Sequence, residues 1–114
     1  NKIINNLQKV CKSGKFIFWG AGSSVMTLIA LTKLRPEYII DGNPNKVGKR
    51  FCGLNYNIHC ALELTRELIS MHRDTDYTMI ISSSFYIEIE KELKRLGWRG
   101  IIYSPYACKS NTEQ

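Results

Sequence analysis

The sequence contains no apolar run approaching the ~20 residues of a membrane span. It has no CxxC pair and only two histidines, so no metal-ligand spacing is present. His59 stands beside Cys60, but no second such pair accompanies them. The four cysteines, Cys11, Cys52, Cys60 and Cys108, lie far apart. Their separation predicts unpaired thiols, some of them buried, and a cytoplasmic setting. Acidic residues are scarce, 10 against 16 Lys and Arg, which leaves a net charge of +6. The basic residues are nevertheless scattered, with no run of five and no aromatic-interleaved RNA-binding signature. A solvated basic surface that tolerates phosphates is therefore expected, with no specific nucleic-acid partner. The opening Asn1–Gly14 is polar and broken by lysines, unlike a signal peptide, and it carries no initiator Met. A domain taken from a longer protein is expected. What is present suffices for one domain: 114 residues, 44% hydrophobic, are enough to bury a core without disulfides or metal.

The apolar residues alternate between two periods. Ile3, Ile4, Leu7, Val10 and Cys11 fall at helical spacing, so an amphipathic helix is predicted over Lys2 to Lys12, within an N-terminal segment 1–14. Lys15 to Trp19 is a short, almost wholly apolar run suited to a strand buried on both faces. Val25 to Leu34 reads as a helix stopped by Arg35-Pro36. Glu37 to Asp41 is a second strand, followed by the turn Gly42-Asn43-Pro44-Asn45. A third short strand is expected at Asn55 to Ile58, then a helix over Ala61 to Met71 and a loop at Asp74-Thr75-Asp76. Tyr77 to Ser82 is a fourth, buried strand. Tyr86 to Leu96 is a helix closed by Gly97, and Gly100 to Ser104 is the last strand. Residues 105–114 form a polar tail. Trp19 and Trp98 suit packing better than ligand stacking.

Strands alternating with helices imply a parallel sheet covered on both faces. Right-handed crossovers make it a Rossmann-like open α/β sheet of about five strands in the order 3-2-1-4-5. The order reverses between the first and fourth strands. A ligand belongs at the carboxyl ends of those two.

Gly20-Ala21-Gly22-Ser23-Ser24 leaves the first strand and opens a helix, the context that a dinucleotide fingerprint requires. Gly20 permits the tight turn, and Gly22 lets a phosphate approach the backbone. Helix amides and the helix dipole favour the anion, and the Ser23 and Ser24 hydroxyls can add hydrogen bonds. Val25 replaces the third glycine of the fingerprint. Without a ligand, the same glycines would simply turn the chain. Asp41 ends the second strand, 21 residues after Gly20, where a carboxylate can accept from both hydroxyls of an adenosine ribose. It would repel a 2′-phosphate, favouring NAD over NADP. Equally, it can cap the Gly42-Asn43 turn. Ser82, Ser83 and Ser84 end the fourth strand, where they can line the far half of a dinucleotide pocket or cap the next helix. Lys46, Lys49 and Arg50 form a basic turn that either contacts a phosphate or is solvated.

The stretch Phe18-Trp19-Gly20-Ala21-Gly22, the segment Ile39-Ile40-Asp41-Gly42-Asn43-Pro44-Asn45-Lys46-Val47-Gly48-Lys49 and Gly53 together resemble a recurring pattern. It is similar to Rossmann domains of bacterial sugar and polysaccharide biosynthesis proteins, where a GAG turn precedes Asp-x-x-Pro-x-Lys-x-Gly-Lys. The N-terminal domains of membrane-linked nucleotide-sugar dehydratases are similar. So are the C-terminal domains of sugar C-methyltransferases, whose strand and Glu-Ile helix resemble Tyr77–Ser84 and Glu88-Ile89. The resemblance spans residues 16 to 104. It implies a nucleotide- or nucleotide-sugar-associated module within a larger enzyme, adjoining a catalytic domain.

Catalytic motifs do not accompany the resemblance. None of the six tyrosines has a Lys four residues on, as the acid–base pair of extended short-chain dehydrogenases requires. Phe18 stands where a class I methyltransferase usually has an acidic residue. The expected pocket offers glycines, hydroxyls and one carboxylate, so binding without conversion is expected. Three functions remain open: an NAD- or adenosine-binding module, an interaction domain of the same fold without cofactor, and a nucleotide-sugar recognition domain.

Overall fold

A computed structural model describes residues 2–12, 14–51 and 55–105. Its elements are α1 (Lys2–Lys12), β1 (Lys15–Trp19), α2 (Ser23–Thr32), β2 (Tyr38–Asp41), β3 (Ile58–Cys60), α3 (Ala61–Ser70), β4 (Tyr77–Ile81), α4 (Tyr86–Leu96) and β5 (Ile101–Tyr103). A 3₁₀ turn at Asp74–Asp76 replaces the expected loop before β4. The five strands form one sheet in the order β3-β2-β1-β4-β5, with every neighbour parallel. This is the Rossmann-like open α/β sheet that the alternating pattern implied.

The sheet buries both faces because its central strands are apolar at every position but Lys15 and Thr78. All five residues of β4 and the last four of β1 are buried. Side chains alternate across a strand, and the core divides accordingly. On one face Phe16, Phe18, Ile39 and Ile80 meet Leu7 and Cys11 of α1 and Val25 and Ile29 of α2. On the other, Ile17, Trp19, Ile40, Met79 and Ile81 meet Leu64 and Leu68 of α3 and Leu93 of α4. Trp19 and Trp98 belong to this second cluster, as packing residues.

Two boundaries differ from expectation. Helix α2 ends at Thr32, two residues before Leu34, because Lys33 turns left-handed (φ 58°) and its N–H bonds the Ile29 carbonyl. Strand β3 begins at Ile58 rather than ending there. The chain before it forms an antiparallel hairpin: Phe51 N–H donates to Tyr56 O (2.8 Å), Ile58 N–H to Lys49 O (2.9 Å), and Arg50 bridges Asn57. Phe51 anchors this hairpin in the α2-side core. The hairpin claims residues 56–57, so pairing with β2 is left to Ile58–Cys60. Gly97 closes α4 in a left-handed conformation, φ 96°, as its position predicted. Cys52, Gly53 and Cys108 lie outside the described residues, as does the tail beyond Pro105.

Cys11 and Cys60 are free thiols. Burial pushes the Cys11 thiol up to about 12, so hardly any thiolate exists there near neutrality. At pH 8, iodoacetamide is expected to modify half-buried Cys60 while sparing Cys11. Denaturant should expose Cys11 to alkylation, and peptide mass mapping distinguishes the two. Equal labelling rates in the folded protein would contradict this packing of α1.

Candidate functional site

The site is built where β1 and β4 end side by side, Trp19 paired with Ile81. Gly20 leaves β1 at φ +124°, a conformation that side chains rarely adopt. Its N–H donates to Ile40 O at 2.8 Å, and Ser82 N–H donates to Trp19 O at 2.9 Å. A Cβ on Gly20 would lie 2.6 Å from the Ser82 carbonyl oxygen. Only glycine lets the two chain exits approach this closely. The structure therefore joins the Gly20 turn to the Ser82–Ser84 segment.

Gly22 is different. It is the N-cap of α2 with ordinary extended backbone, φ −105° and ψ 178°, and a Cβ there would meet nothing within 4 Å. Neither strain nor packing within the described residues demands glycine at this position. The open space lies over the start of α2, whose first turn carries no acidic residue. Unpaired helix amides and the positive end of the dipole suit an anion there. The Ser23 side chain is exposed at this end, whereas the side chain of Ser24 lies outside the described residues.

Asp41 closes the other side. Its Oδ2 accepts from Ala21 N–H at 2.8 Å, and its Oδ1 accepts from Asn43 N–H at 2.8 Å. The carboxylate thus caps its own turn and also ties that turn to the glycine loop. Its side chain is 15% exposed. A carboxylate offers about four acceptor sites, so two remain for hydroxyl donors. The Ala21 amide, by contrast, is already occupied. Lys46 Nζ reaches over the loop, 3.4 Å from Ala21 O and 3.9 Å from Asp41 Oδ2. Of the basic turn, Lys46 joins the site, while Lys49 and Arg50 belong to the hairpin.

Ser82 and Ser83 are half-buried at the end of β4. Neither Ser83 nor Ser84 caps α4, whose N-cap is Phe85. Instead Ser83 Oγ accepts from Phe85 N–H at 3.1 Å, a local turn that sets where α4 begins. Phe85 stands exposed beside these serines and is not among the residues expected in the site. Its position four residues before Ile89, on the apolar stripe of α4, was the available signal.

His59 lies apart from this cluster, stacked edge-on against Tyr38 at 5.5 Å. Together with Cys60, Glu63, Leu64 and Glu67 it lines a shallow groove of about 80 Å³ along the β3 edge. Among the described residues no group of three His, Cys, Asp or Glu converges as a metal site would require. No helix among them is long and apolar enough to cross a membrane. The chain matches no family model, and no curated protein is significantly similar to it.

Proposed function

We propose that the chain is a nucleotide-binding module, for NAD or a related adenosine ligand, of a cytoplasmic carbohydrate or polysaccharide biosynthesis protein. It binds without converting and serves an adjoining catalytic domain. The observation that carries this reading is Gly22: a glycine needed by neither backbone nor packing, open above the first turn of α2, at the reversal point of the sheet. A side chain there would fill the approach of a phosphate. Gly20, Ala21, Ser23 and Ser24 frame the phosphates, Asp41 takes the ribose through its free acceptor sites, and Ser82 and Ser83 border the far half. Lys46 adds a cation beside the phosphates.

A second reading, an interaction domain without cofactor, rests on two observations. Asp41 already has partners without any ligand. Helix α2 carries no charged residue in its ten, and Leu31 on its outer face is 70% exposed. Such a helix suits contact with another domain. Nucleotide-sugar recognition is the third reading and uses the same cleft.

Calorimetry with NAD, NADP, AMP and a nucleotide-sugar panel decides among them. NAD and AMP are expected to bind, and NADP more weakly because Asp41 repels its 2′-phosphate. Nicotinamide absorbance and product masses should show no turnover. Silence across the panel at millimolar ligand would overturn the nucleotide reading in favour of the interaction domain.

A further inference from the structure

Phe85, the N-cap of α4, is a large apolar residue left exposed at the start of that helix. Successive helical residues rotate by about 100°, so Phe85, Ile89 and Leu93 span about 80° of one face of α4. Leu93 is fully buried against the sheet, and Ile89 packs against the same cluster. Phe85 precedes that stripe by one more turn toward the N-terminus, yet the residue is 68% exposed. The reason is that β4 has already ended at Ile81. The stripe runs past the end of the sheet, and its last member is left exposed after the carboxyl end of β4. The Ser83 Oγ to Phe85 N–H bond at 3.1 Å holds the Phe85 backbone to the segment that leaves β4. The Gly20–Ser82 approach joins that segment to the glycine loop.

The geometry points to Phe85 as a stacking wall for a planar ring carried at the second end of a dinucleotide. This inference rests on the nucleotide reading above and deepens it. A ligand with ribose at Asp41 and phosphates over Gly22 crosses from β2 to β1 and continues toward β4. Its second head then arrives at the carboxyl end of β4, four residues after which Phe85 is exposed. Aromatic faces attract planar heteroaromatic rings through stacking, whatever the ring's hydrogen-bonding pattern. The chain is thus expected to discriminate between ligands that carry a second ring and ligands that share everything but that ring.

NAD and ADP-ribose form the matching pair, since they differ only by nicotinamide. In titrations of the full chain, NAD is expected to bind about tenfold more tightly than ADP-ribose. Phe85→Leu should weaken NAD to the level of ADP-ribose and leave ADP-ribose unchanged. Phe85→Trp should restore the preference, and its indole fluorescence should fall as NAD is added but not as ADP-ribose is added. Equal binding of the two ligands by the parent chain would overturn the stacking role while leaving the nucleotide reading in place. So would an unchanged preference in Phe85→Leu. A loss in Phe85→Leu confined to nucleotide-sugars would replace the planar ring by a sugar face and would also overturn it. If the parent chain binds no nucleotide at all, both readings fall together, a pattern distinct from the others.

Discussion

Replacing Gly20 by alanine is expected to destabilise the fold by about 3 kcal/mol or more, through two separate costs. At φ +124° a residue with a Cβ sits in a sparsely allowed region, which costs about 1–3 kcal/mol. The new Cβ would lie 2.6 Å from the Ser82 carbonyl oxygen, a backbone atom that cannot rotate away. Relieving that overlap must part β1 from β4 at their carboxyl ends, at a cost of about 1–3 kcal/mol. For a chain of this size the thermal midpoint should drop by roughly 10 °C or more. Gly22 provides the contrast two residues on. Its conformation suits any residue and its surroundings are open, so Gly22→Leu should stay within about 1 kcal/mol of the parent in stability. The same change should abolish nucleotide binding by filling the phosphate's approach. Thermal melts and calorimetry on both variants separate a glycine kept for the fold from one kept for a ligand. A large stability loss in Gly22→Leu, or a mild one in Gly20→Ala, would overturn this division.

The second large effect is expected at the opposite end of the sheet. Asp74 is buried in the 3₁₀ turn before β4, and it accepts from the Arg99 backbone N–H at 2.8 Å and from the Arg99 guanidinium at 2.6 and 3.0 Å. These bonds tie the turn before β4 to the chain entering β5. Gly100 shares the junction, since a Cβ there would lie 2.2 Å from Asp74 O and 2.7 Å from Tyr77 O. Asp74→Ala is expected to cost about 2 kcal/mol through the lost charge-assisted bonds. The figure is held down because Arg99 is 49% exposed and recovers hydration once released.

Asp74 also confers a dependence on pH. The hydrogen bonds from the Arg99 side chain hold the Asp74 carboxyl below its usual value, against the opposing effect of burial. A carboxyl lowered in the folded state stabilises the fold above its unfolded value, about pH 4. That contribution is lost as pH falls from about 4 through the lower folded value. Glu92 shifts in the same direction through Arg95, but at the exposed surface, where it adds little. Denaturation midpoints measured from pH 7 to pH 2 should therefore fall less steeply for Asp74→Asn than for the parent chain. Identical acid limbs would remove Asp74 from the account.

The sequence by itself determined the layout of the elements and which residues face inward, because local periodicity carries that information. Phe16 and Phe18 alternate with Ile17 and Trp19, and the two pairs lie in the two opposite core clusters. Parallel order and the reversal beside β1 followed from the chain's alternation of strand and helix and from the handedness of crossovers. Gly20, Gly22 and Asp41 were legible as a set because their spacing is local to one strand–turn–helix–strand unit. Only the tertiary structure decided what depends on separated segments meeting. Asp41 bonding the Ala21 amide, Lys46 leaning over the loop, Asp74 gripping Arg99 25 residues away, and Gly20 pressed against Ser82 are contacts of this kind. The start of β3 was decided the same way. Phe51 is buried among residues of α2 and β2 that lie far from it in sequence, and its hairpin leaves Ile58–Cys60 for the sheet. Phe85 was apolar and in phase with Ile89 and Leu93 in the sequence. That the sheet stops before reaching it depends on where β4 ends in space, which periodicity along one helix does not encode.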